Sequence, residues 1–567
     1  MAAVAPQELL DRARAWRRAD PDPVTAAELD SLIAAAVQDQ PDAIQALADR
    51  FEGRLSFGTA GLRGEMGAGP MRMNRLVVRQ AAAGLATWLG AGQTVVIGFD
   101  ARHQSDSFAR DSARVLAAAG LSVRLFAATC PTPTLAFAIR HLGADAGIMC
   151  TASHNPSRDN GYKVYLGDGA QIIPPVDAAI AAAIDQAALS PVVLAEVDDP
   201  AIESVGPELI ETYLAHVATV TGPAPAQASP LRIVYTPLHG VGGAVAIDAL
   251  ARAGFDLVDV VAEQFEPDPD FPTVAFPNPE EPGALDRAAA LAATVGADLV
   301  LANDPDADRL AVMIPTPDRS DWVTLTGDQT GALLADHLLD ATQGEDRLVV
   351  TTYVSSQLLR RQATAAGVHY AEVATGFKWV VRPALDHPGW RFVFGYEEAL
   401  GFSVDAEVRD KDGISAAVCF ARMAAAARTE GATVWDRLDR LGRTFGEHVT
   451  ATHSWRMQGT AGQARMAATL ARLRGQPPRG LGDTPVEGWR DLAQPSDDSP
   501  PSDALVARLV DGSRVCLRPS GTEPKLKAYV EVVEVVGSAG PAAARRLGAA
   551  RAQQLVAAVG STWLGEA

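Results

Sequence analysis

The sequence has few cysteines and no long apolar run. Its 567 residues include four cysteines, Cys130, Cys150, Cys419 and Cys516. They are far apart and lack metal-ligand spacing, which favours core thiols in a reducing cytoplasm. No segment offers roughly 18 consecutive apolar residues, and residues 1–20 contain no apolar core of signal-peptide length. We therefore expect a cytoplasmic protein that does not enter a membrane.

The sequence also lacks an excess of positive charge. Lys and Arg total 49 against 69 for Asp and Glu, which gives a net charge of −20. An acidic chain attracts neither nucleic acid nor anionic membranes, so any anionic ligand must meet a local cluster of basic groups. The composition, 48% hydrophobic and 21% charged, is typical of a soluble globular protein, and the length predicts three to five domains.

One supersecondary pattern occurs three times along the chain. Each copy has an apolar strand that ends in a polar loop, then a helix stopped by glycine, then a second strand. The first strands begin at Thr94, Arg232 and Leu348, and the helices stop at Gly120, Gly254 and Gly367. Because a helix between two strands is the usual parallel crossover, the pattern predicts three α/β domains.

The remaining segments suggest where these domains end. Residues 221–230 are rich in Pro and Ala, which predicts an exposed connection before the second copy. After about residue 446 the pattern stops, and the Pro/Gly-rich stretch 475–482 and the Asp/Ser/Pro-rich stretch 494–503 follow. We expect a smaller α+β domain there. The predicted domain boundaries are 1–205, 206–318, 319–446 and 447–567.

Ser153 belongs to a short loop that follows an apolar strand. Residues 146–150 are apolar and Asn155-Pro156 forbids helix, so Ser153 should be displayed at the carboxyl end of the strand. A serine beside His154, with Lys163 ten residues on, could carry a phosphoryl group between acid/base groups and a cation. The alternative is an Asn-Pro turn in which Ser153 and His154 only hydrogen-bond the backbone.

Three aspartates alternate along a second loop that follows a strand. Residues 297–302 are apolar, and they lead into Asp304, Asp306 and Asp308. Carboxylates at alternate positions can face one point and form a hard-cation site, which Mg²⁺ with a phosphate oxygen would fit. Arg309 would balance charge or contact phosphate. The alternative is an acidic turn with an aspartate as a helix cap.

Two further loops carry groups that suit a sugar phosphate. The loop of residues 518–525 supplies an arginine, hydroxyls, exposed backbone N–H groups and a lysine, which together form a plausible phosphate cradle. Residues 395–401 contain Glu397 and Glu398, which could accept hydrogen bonds from sugar hydroxyls or could equally lie on a solvated face. The Gly-rich stretch 57–64 carries Arg63 and is non-specific alone.

Four motifs taken together resemble the α-D-phosphohexomutase superfamily over about residues 50–530. They are Thr-Ala-Ser-His-Asn-Pro at 151–156, Asp-Pro-Asp-Ala-Asp-Arg at 304–309, the sugar loop at 395–401, and Arg-Pro-Ser-Gly-Thr-Glu-Pro at 518–524. Three other segments, 58–63, 159–165 and 276–281, are most similar to the branch of phosphoglucomutases that includes phosphopentomutases. The resemblance implies an α/β fold with three similar mixed-sheet domains and a C-terminal α+β phosphate-binding domain around a central cleft.

The resemblance also implies a reaction. We expect a sugar 1-phosphate and 6-phosphate to be interconverted through a phosphoserine and a bisphosphorylated sugar, with glucose as the first candidate and mannose or a pentose as alternatives. Mg²⁺ is the expected cofactor, a sugar 1,6-bisphosphate the expected activator, and a monomer or homodimer the expected assembly. Partners should be small sugar phosphates, with no nucleic acid and no membrane.

The implied roles fall on specific residues. Ser153 is the expected phosphoserine, and His154, Lys163 and Lys411 are open alternatives for the acid/base group. The expected metal ligands are Ser153, Asp304, Asp306 and Asp308, with Arg309 balancing charge. The expected substrate-binding residues are Arg63, Thr375, Gly376, Glu397, Arg518, Ser520, Gly521, Thr522 and Lys525.

Two positions depart from the better-known phosphoglucomutase pattern. Glu397-Glu398-Ala399 stands where that pattern has Glu-x-Ser, and Phe377 follows Thr375-Gly376 where the pattern has tryptophan. These changes leave the reaction type untouched and put hexose specificity in doubt. Two other classes of protein compete with a mutase: a phosphatase with Asp304 or Asp306 as nucleophile, and a sugar-phosphate-binding regulator without catalysis.

Overall fold

The chain forms two compact units. The computed structural model describes residues 6–56, 61–220, 231–457, 459–494, 501–520 and 525–565. One unit takes its residues from Met1–Ala224, Pro230–Met313 and Glu407–Val418, and the other from Ile314–Ala406 and Cys419–Ala567. Residues 221–230, the predicted linker, lie outside the described residues.

The first unit begins with three helices that pack on one another. They are α1 (Pro6–Ala19), α2 (Pro23–Val37) and α3 (Pro41–Phe51). The Asp22 side chain accepts a hydrogen bond from the Val24 N–H and so caps α2. Leu9, Leu29 and Leu47 lie in the core that the helices share.

A six-stranded mixed sheet follows. Its strands are β1 (Leu62–Glu65), β2 (Thr94–Phe99), β3 (Ser122–Phe126), β4 (Ala146–Cys150), β5 (Asp159–Leu166) and β6 (Ile202–Val205). Their spatial order is β1-β5-β4-β2-β3-β6. Its helices are α4 (Arg75–Leu89), α5 (Ser105–Ala118), α6 (Thr132–His141), α7 (Val176–Ala187) and α8 (Glu208–Val220). Strands β2 and β4 are almost continuous apolar runs, as expected of strands buried on both faces.

A second mixed sheet lies in the same unit. Its strands are β7 (Ile233–Thr236), β8 (Val258–Val260), β9 (Leu299–Asn303) and β10 (Leu310–Pro315), in the order β10-β9-β7-β8. The helices are α9 (Gly243–Arg252), α10 (Ala262–Phe265) and α11 (Asp286–Val295). The short strand β11 (Trp322–Thr324) comes next in the chain.

The second unit contains the third sheet. Its strands are β12 (Arg347–Thr352), β13 (His369–Val373), β14 (Arg391–Glu397) and β15 (Gly401–Ser403), in the order β13-β12-β14-β15. The helices of this part of the chain are α12 (Gly327–Ala341), α13 (Leu358–Ala366), α14 (Phe377–Val380), α15 (Arg382–Asp386), α16 (Gly413–Thr429) and α17 (Val434–Phe445). Capping boxes at Thr326 and Thr433 start α12 and α17.

The three mixed sheets share one topology. In each, a first strand (β2, β7 or β12) pairs in parallel with the next strand of the chain on one side and with the strand after that on the other. That third strand then forms an antiparallel hairpin with the fourth. The predicted triplication is therefore confirmed. The hairpin loops are residues 151–158, 304–309 and 398–400, so the serine loop, the aspartate loop and the tip of the sugar loop occupy equivalent positions.

A fourth, antiparallel sheet completes the second unit. Its strands are β16 (Glu447–Arg456), β17 (Gly480–Leu481), β18 (Thr484–Asp491), β19 (Leu505–Leu509), β20 (Arg514–Pro519) and β21 (Lys525–Glu534), in the order β16-β21-β20-β19-β18-β17. Two helices, α18 (Gly459–Gly475) and α19 (Pro541–Ala558), and a π-helical turn (Val559–Trp563) complete this part. The predicted C-terminal α+β domain is confirmed.

The cysteines and the apolar character of the helices bear on the predicted thiols and on membrane crossing. All four cysteines are buried and unpaired by disulfides, as expected of core thiols. No helix in the described ranges combines the length and the apolar character needed to cross a bilayer.

Candidate active site

Ser153 lies in the hairpin loop between β4 and β5 with an unusual backbone. Its φ is +52°, a region that L side chains rarely adopt. The Ser153 N–H donates to Thr151 Oγ1 at 2.8 Å, and Ser153 Oγ donates to Asp304 Oδ2 at 2.9 Å. His154 Nδ1 lies 3.1 Å from the same hydroxyl oxygen. The loop therefore fixes the serine hydroxyl between a carboxylate and an imidazole.

A buried arginine holds this loop in place. The Arg102 guanidinium donates to four carbonyl oxygens of the loop and the start of β5: Ser153 at 2.6 Å, Pro156 at 2.8 Å, Asp159 at 3.1 Å, and Asn155. Asp100 in turn accepts the Arg102 backbone N–H at 3.0 Å. Arg102 is not among the residues predicted from the sequence. The only signal was Asp-x-Arg directly after β2, where a polar loop was expected.

The aspartate loop places three buried carboxylates together. Asp304, Asp306 and Asp308 are at most 1% exposed, and each contributes an oxygen to a group that fits within 4.8 Å. Asp306 Oδ1 and Asp308 Oδ1 are buried and have no hydrogen-bond partner in the described part of the chain. Buried carboxylate oxygens are costly unless a donor or a cation satisfies them. This all-oxygen donor set therefore fits a hard divalent cation.

Lysines face the same carboxylates. Lys163 Nζ, on β5, donates to Asp306 Oδ2 at 2.8 Å and to Asp308 Oδ2 at 2.9 Å. Lys411 Nζ lies 3.0 Å from Asp308 Oδ2. Burial opposes the charge on Lys163, but Asp306 and Asp308 outweigh it and raise the pKa of Lys163. Lys163 is therefore held as an ammonium ion.

The segment that carries Lys411 belongs to the first unit, although the predicted third domain (319–446) contains it in sequence. Asp410 Oδ2 accepts hydrogen bonds at 2.7 Å from Tyr165 and from Gln171. The Tyr213 hydroxyl donates to Asp412 Oδ1 at 2.8 Å. These buried bonds fix the segment on both sides of Lys411.

Arg63, Arg309 and Thr132 surround the serine and aspartate loops. Arg63 Nη1 donates to Asn155 Oδ1 at 3.0 Å, and Arg309 Nε lies 4.0 Å from Asp304 Oδ2. Thr132 Oγ1 donates to Asp306 Oδ2 at 2.7 Å. Thr132 begins α6, belongs to no motif and is also not among the predicted residues. The site therefore gathers eight predicted side chains around Ser153: His154, Lys163, Lys411, the three aspartates, Arg63 and Arg309.

Two of the predicted sugar-binding residues meet in the second unit. The Gly376 N–H donates to Glu397 Oε1 at 2.7 Å, which ties the start of α14 to the sugar loop. Glu398 Oε2 accepts from Ser355 Oγ at 3.3 Å, and the Glu398 N–H donates back to Ser355 Oγ at 3.2 Å. Both glutamates are half-buried and hydrogen-bonded, so they do not form a simple solvated face.

The predicted phosphate loop joins β20 to β21. Arg518 is the penultimate residue of β20, and Lys525 begins β21. The Ser520 N–H donates to the Lys525 carbonyl at 2.8 Å. Gly521 and Thr522 lie outside the described residues, as do residues 57–60 ahead of Arg63. Thr375 immediately precedes the Gly376 that bonds Glu397.

Solved structures share this fold. A phosphoglucomutase/phosphomannomutase family protein from Burkholderia thailandensis superposes with a TM-score of 0.66 at 20% identity, over 88% of this chain and 97% of that one. The open form of the exocytosis-sensitive phosphoprotein pp63/parafusin, a phosphoglucomutase from Paramecium, gives 0.67 at 20% identity, over 89% and 96%.

Three relatives have higher sequence identity to this chain than these two structures. A probable phosphomannomutase of Haemophilus influenzae is 40% identical over 81% of this chain and 93% of its own. A probable phosphoribomutase of Schizosaccharomyces pombe is 36% identical over 92% and 93%. A phosphoglucomutase of Staphylococcus epidermidis is 36% identical over 84% and 90%.

Four family models match the chain in order. They are the phosphoglucomutase/phosphomannomutase alpha/beta/alpha domains I, II and III, at residues 54–190, 211–316 and 326–443, and the C-terminal domain at 464–536. The triplicated fold and the four matches define an isomerase of the sugar-phosphate mutase class. The chain belongs to the phosphoglucomutase/phosphomannomutase family.

Proposed function

We propose that the enzyme interconverts glucose 1-phosphate and glucose 6-phosphate and that Ser153 carries the phosphoryl group. The observation that carries this proposal is the position of Ser153 Oγ in the first hairpin loop, 2.9 Å from the aspartate triad at Asp304. A phosphatase with an aspartyl nucleophile would not require a serine loop fixed in this way. The intact serine, aspartates and lysines also argue against a non-catalytic regulator.

The reaction has two phosphoryl transfers. In the first, the bond between Ser153 Oγ and phosphorus breaks while the free sugar hydroxyl forms a new P–O bond. The hydroxyl proton passes to an acid/base group, and Ser153 Oγ takes up a proton. The product is a sugar 1,6-bisphosphate, which also explains why this compound would activate an unphosphorylated enzyme. After the intermediate has turned around, Ser153 Oγ takes the other phosphoryl group and loses its own proton.

Positive charge balances the phosphoryl group in this proposal. Lys163 and Lys411 already bind Asp306 and Asp308, and Arg63 lies beside the serine loop at Asn155. Asp304, Asp306 and Asp308, with the phosphoserine, would hold Mg²⁺. When bound, the ion neutralises charge on the phosphoryl oxygens. Arg309 balances the charge of Asp304.

Among the acid/base candidates, we propose His154 for the proton of Ser153. Its Nδ1 lies 3.1 Å from Ser153 Oγ. Burial, and then the charges of Arg309 and Arg63, lower the pKa of His154 well below its ordinary value, so the imidazole is neutral and able to accept a proton. Lys163, with its raised pKa, serves as a fixed cation.

The second unit supplies the proposed sugar and phosphate contacts. We propose that Thr375, Gly376 and Glu397 bind the sugar, with Glu397 accepting a hydroxyl hydrogen bond beside the Gly376 amide. Arg518, Ser520, Gly521, Thr522 and Lys525 would hold the phosphate that is not being transferred. A guanidinium fork with hydroxyls suits a phosphate that must be held while the other reacts.

A pentose phosphate is the second candidate substrate. The probable phosphoribomutase of Schizosaccharomyces pombe matches 92% of this chain, a larger share than the phosphoglucomutase and phosphomannomutase relatives described above. A panel of glucose, mannose and ribose 1-phosphates, assayed with the corresponding bisphosphate, separates these candidates. We expect glucose 1-phosphate to give the highest kcat/KM. A kcat/KM a hundredfold higher for ribose 1-phosphate than for glucose 1-phosphate would make a pentose phosphate the substrate.

The boundaries 1–205, 206–318, 319–446 and 447–567 remain our proposal for the domains. Each family match falls inside one of these ranges, which supports the proposed boundaries.

A cytoplasmic location remains a prediction supported by four unpaired thiols. The choice between monomer and homodimer stays a prediction that sedimentation equilibrium would decide.

The direct test is phosphorylation of Ser153. Intact-mass and peptide mass spectrometry of active enzyme should find one phosphate on the peptide that contains Ser153. The variant Ser153→Ala should lose turnover even with saturating bisphosphate, whereas Ser157→Ala, in the same loop, should retain it. Near-normal turnover by Ser153→Ala would show that another group carries the phosphoryl group.

A further inference from the structure

The second unit contains a pocket that the proposed reaction does not use. It has a volume of about 590 Å³ and is bordered by α13, the end of α17 and the strands β16, β19 and β21. This volume is in the range of small-molecule sites, which is roughly 300–1,000 Å³. None of the predicted catalytic, metal or sugar-phosphate residues lines it. We call it the arginine pocket, after Arg360 and Arg361 of α13 and Arg508 of β19.

The charge of the arginine pocket is opposite to that of the chain. Three guanidinium groups line it in a protein whose net charge is −20. Arg360, Arg361 and Arg508 are all exposed, so their charged ends are accessible to a ligand. Arg361 Nη1 donates to the Phe445 carbonyl at 2.6 Å, which anchors its guanidinium without neutralising it.

The one carboxylate in the lining is already satisfied. Glu531 Oε1 accepts hydrogen bonds from Ser356 Oγ at 2.7 Å and from the Gln357 N–H at 2.8 Å. Glu531 Oε2 pairs with the buried Arg514, whose Nη2 lies 3.3 Å away. The Glu531 charge is therefore compensated from inside the unit, and the three lining arginines keep their positive charge for a ligand.

The pocket wall also contains a buried polar side chain, His448. The His448 ring is 1% exposed, and its Nδ1 lies 2.8 Å from Glu531 Oε1. His448 Nε2 is buried and has no hydrogen-bond partner among the described residues. A ligand that carries both oxyanion and hydroxyl groups would suit three guanidinium groups beside such an imidazole.

We propose that the arginine pocket binds a small polyanion bearing phosphate or carboxylate groups, at a site formed by residues other than those of the phosphate loop at Arg518. Guanidinium forks match both groups, so the shared chemistry is that of a multiply charged oxyanion. Two or more anionic groups are needed to engage arginines that come from both α13 and β19.

The test uses pyrophosphate and citrate as probes, titrated by calorimetry into the full chain without divalent metal. The Arg518→Ala background removes the arginine proposed to hold the substrate phosphate, so binding that persists there reports on another site. We expect binding to persist in Arg518→Ala. We expect it to weaken at least about tenfold when Arg360→Gln and Arg508→Gln are added, because two charge-assisted contacts are lost.

Matched variants make the outcome decisive. Arg443→Gln, an exposed arginine on α17 outside the pocket, should leave the affinity unchanged. The single variants Arg360→Gln and Arg508→Gln should each give an intermediate loss. Tighter binding of pyrophosphate than citrate identifies a phosphate ligand, and the reverse order a carboxylate ligand. Equal affinity of the background and of its double variant, or complete loss of binding in Arg518→Ala alone, would overturn the site.

Discussion

Two carboxylates of the aspartate loop, four residues apart, have opposite electrostatic environments. Burial, and then the charges of Asp306 and Asp308, raise the pKa of Asp304 well above its ordinary value. Burial acts the same way on Asp308, but Lys163 and Lys411 outweigh it and hold the pKa of Asp308 below its ordinary value. Asp308 is therefore held as an anion, and Asp304 is the carboxyl group that accepts the hydrogen bond of Ser153.

Asp308→Asn should remove an anionic metal ligand and the shared partner of Lys163 and Lys411. We expect turnover to fall at least about a hundredfold and the Mg²⁺ concentration for half-maximal rate to rise. Rates measured across a Mg²⁺ titration, after exhaustive chelation, check both. The exposed Asp42 on α3 provides the control, since Asp42→Asn should change neither quantity. Full activity of wild type after metal removal would eliminate the metal site.

Ala399→Ser should change the choice of sugar. Ala399 lies beside Glu397 and Glu398 in the sugar loop and cannot make the hydrogen bond that a serine offers. Because strong rejection of an analogue comes from site groups left unpaired, the wild type should turn over glucose 1-phosphate and also mannose or ribose 1-phosphate within a few powers of ten. We expect the variant to shift kcat/KM about threefold to tenfold toward glucose.

The measurement for Ala399→Ser is the ratio of kcat/KM values for glucose, mannose, glucosamine and ribose 1-phosphates, in the variant and in wild type. Use of a single sugar by wild type, or an unchanged ratio in the variant, would place selectivity in other residues.

Among the secondary-structure elements, the same hairpin position carries a predicted site loop in each of the three mixed sheets. The antiparallel third and fourth strands of each mixed sheet are joined by the loop that carries Ser153, the aspartates or Glu398. The aspartate loop and the start of α16 also approach each other closely through their backbones. The Gly413 N–H donates to the Ala307 carbonyl at 3.2 Å.

Gly413→Ala should disturb this approach. A Cβ atom there would lie 2.2 Å from the Arg309 carbonyl oxygen and 2.6 Å from Asn303 Nδ2, so backbone must shift. We expect a loss of about 1–3 kcal/mol in stability and at least a tenfold fall in kcat, because Lys411 lies two residues away. Steady-state kinetics and calorimetric melting check this. Gly389→Ala, where a Cβ meets nothing within 4 Å, is the matched control.

If Gly413→Ala melts earlier but keeps the wild-type kcat, the approach matters for stability alone and does not position Lys411.

At the scale of the whole molecule, stability in acid should depend on a buried network in the second unit. Burial acts to raise the pKa of Glu531, but Arg514 and then His448 outweigh it and lower the pKa from 4.5 to about 2. A carboxyl group whose pKa is lower when folded stabilises the folded chain above its unfolded pKa, and this contribution is lost as the pH falls toward the folded pKa. The window is therefore about pH 4.5 down to about 2.

Glu531→Gln should destabilise the protein at neutral pH by about 3 kcal/mol, and the difference from wild type should shrink below about pH 4.5. Apparent melting temperatures from pH 7 to pH 3 measure the difference. The exposed Glu487 on β18 serves as control, because Glu487→Gln should leave the whole profile unchanged. If the difference in melting temperature between Glu531→Gln and wild type stays constant with pH, the network does not act through the Glu531 charge.

Short-range sequence patterns predict the class of fold and the main chemical groups. The three strand-loop-helix-strand copies are local patterns of apolar periodicity and glycine stops, and their helices do end before residues of positive φ, at Gly120, Gly254 and Gly367. Ser153 and the aspartates were predicted because each follows an apolar strand directly. These are short-range features, and short-range sterics and burial decide them.

Contacts between distant residues of the site depend instead on how the chain folds. Lys411 reaches Asp308 from more than a hundred residues away, Arg102 holds the serine loop from the segment after β2, and Thr132 reaches Asp306 from α6. No local pattern marks such contacts, because they depend on how strands are ordered in a sheet and on which segments pack together. The charge on a given aspartate is likewise set by the cations that folding places beside it, so the sequence names the carboxylates while the fold decides their ionisation.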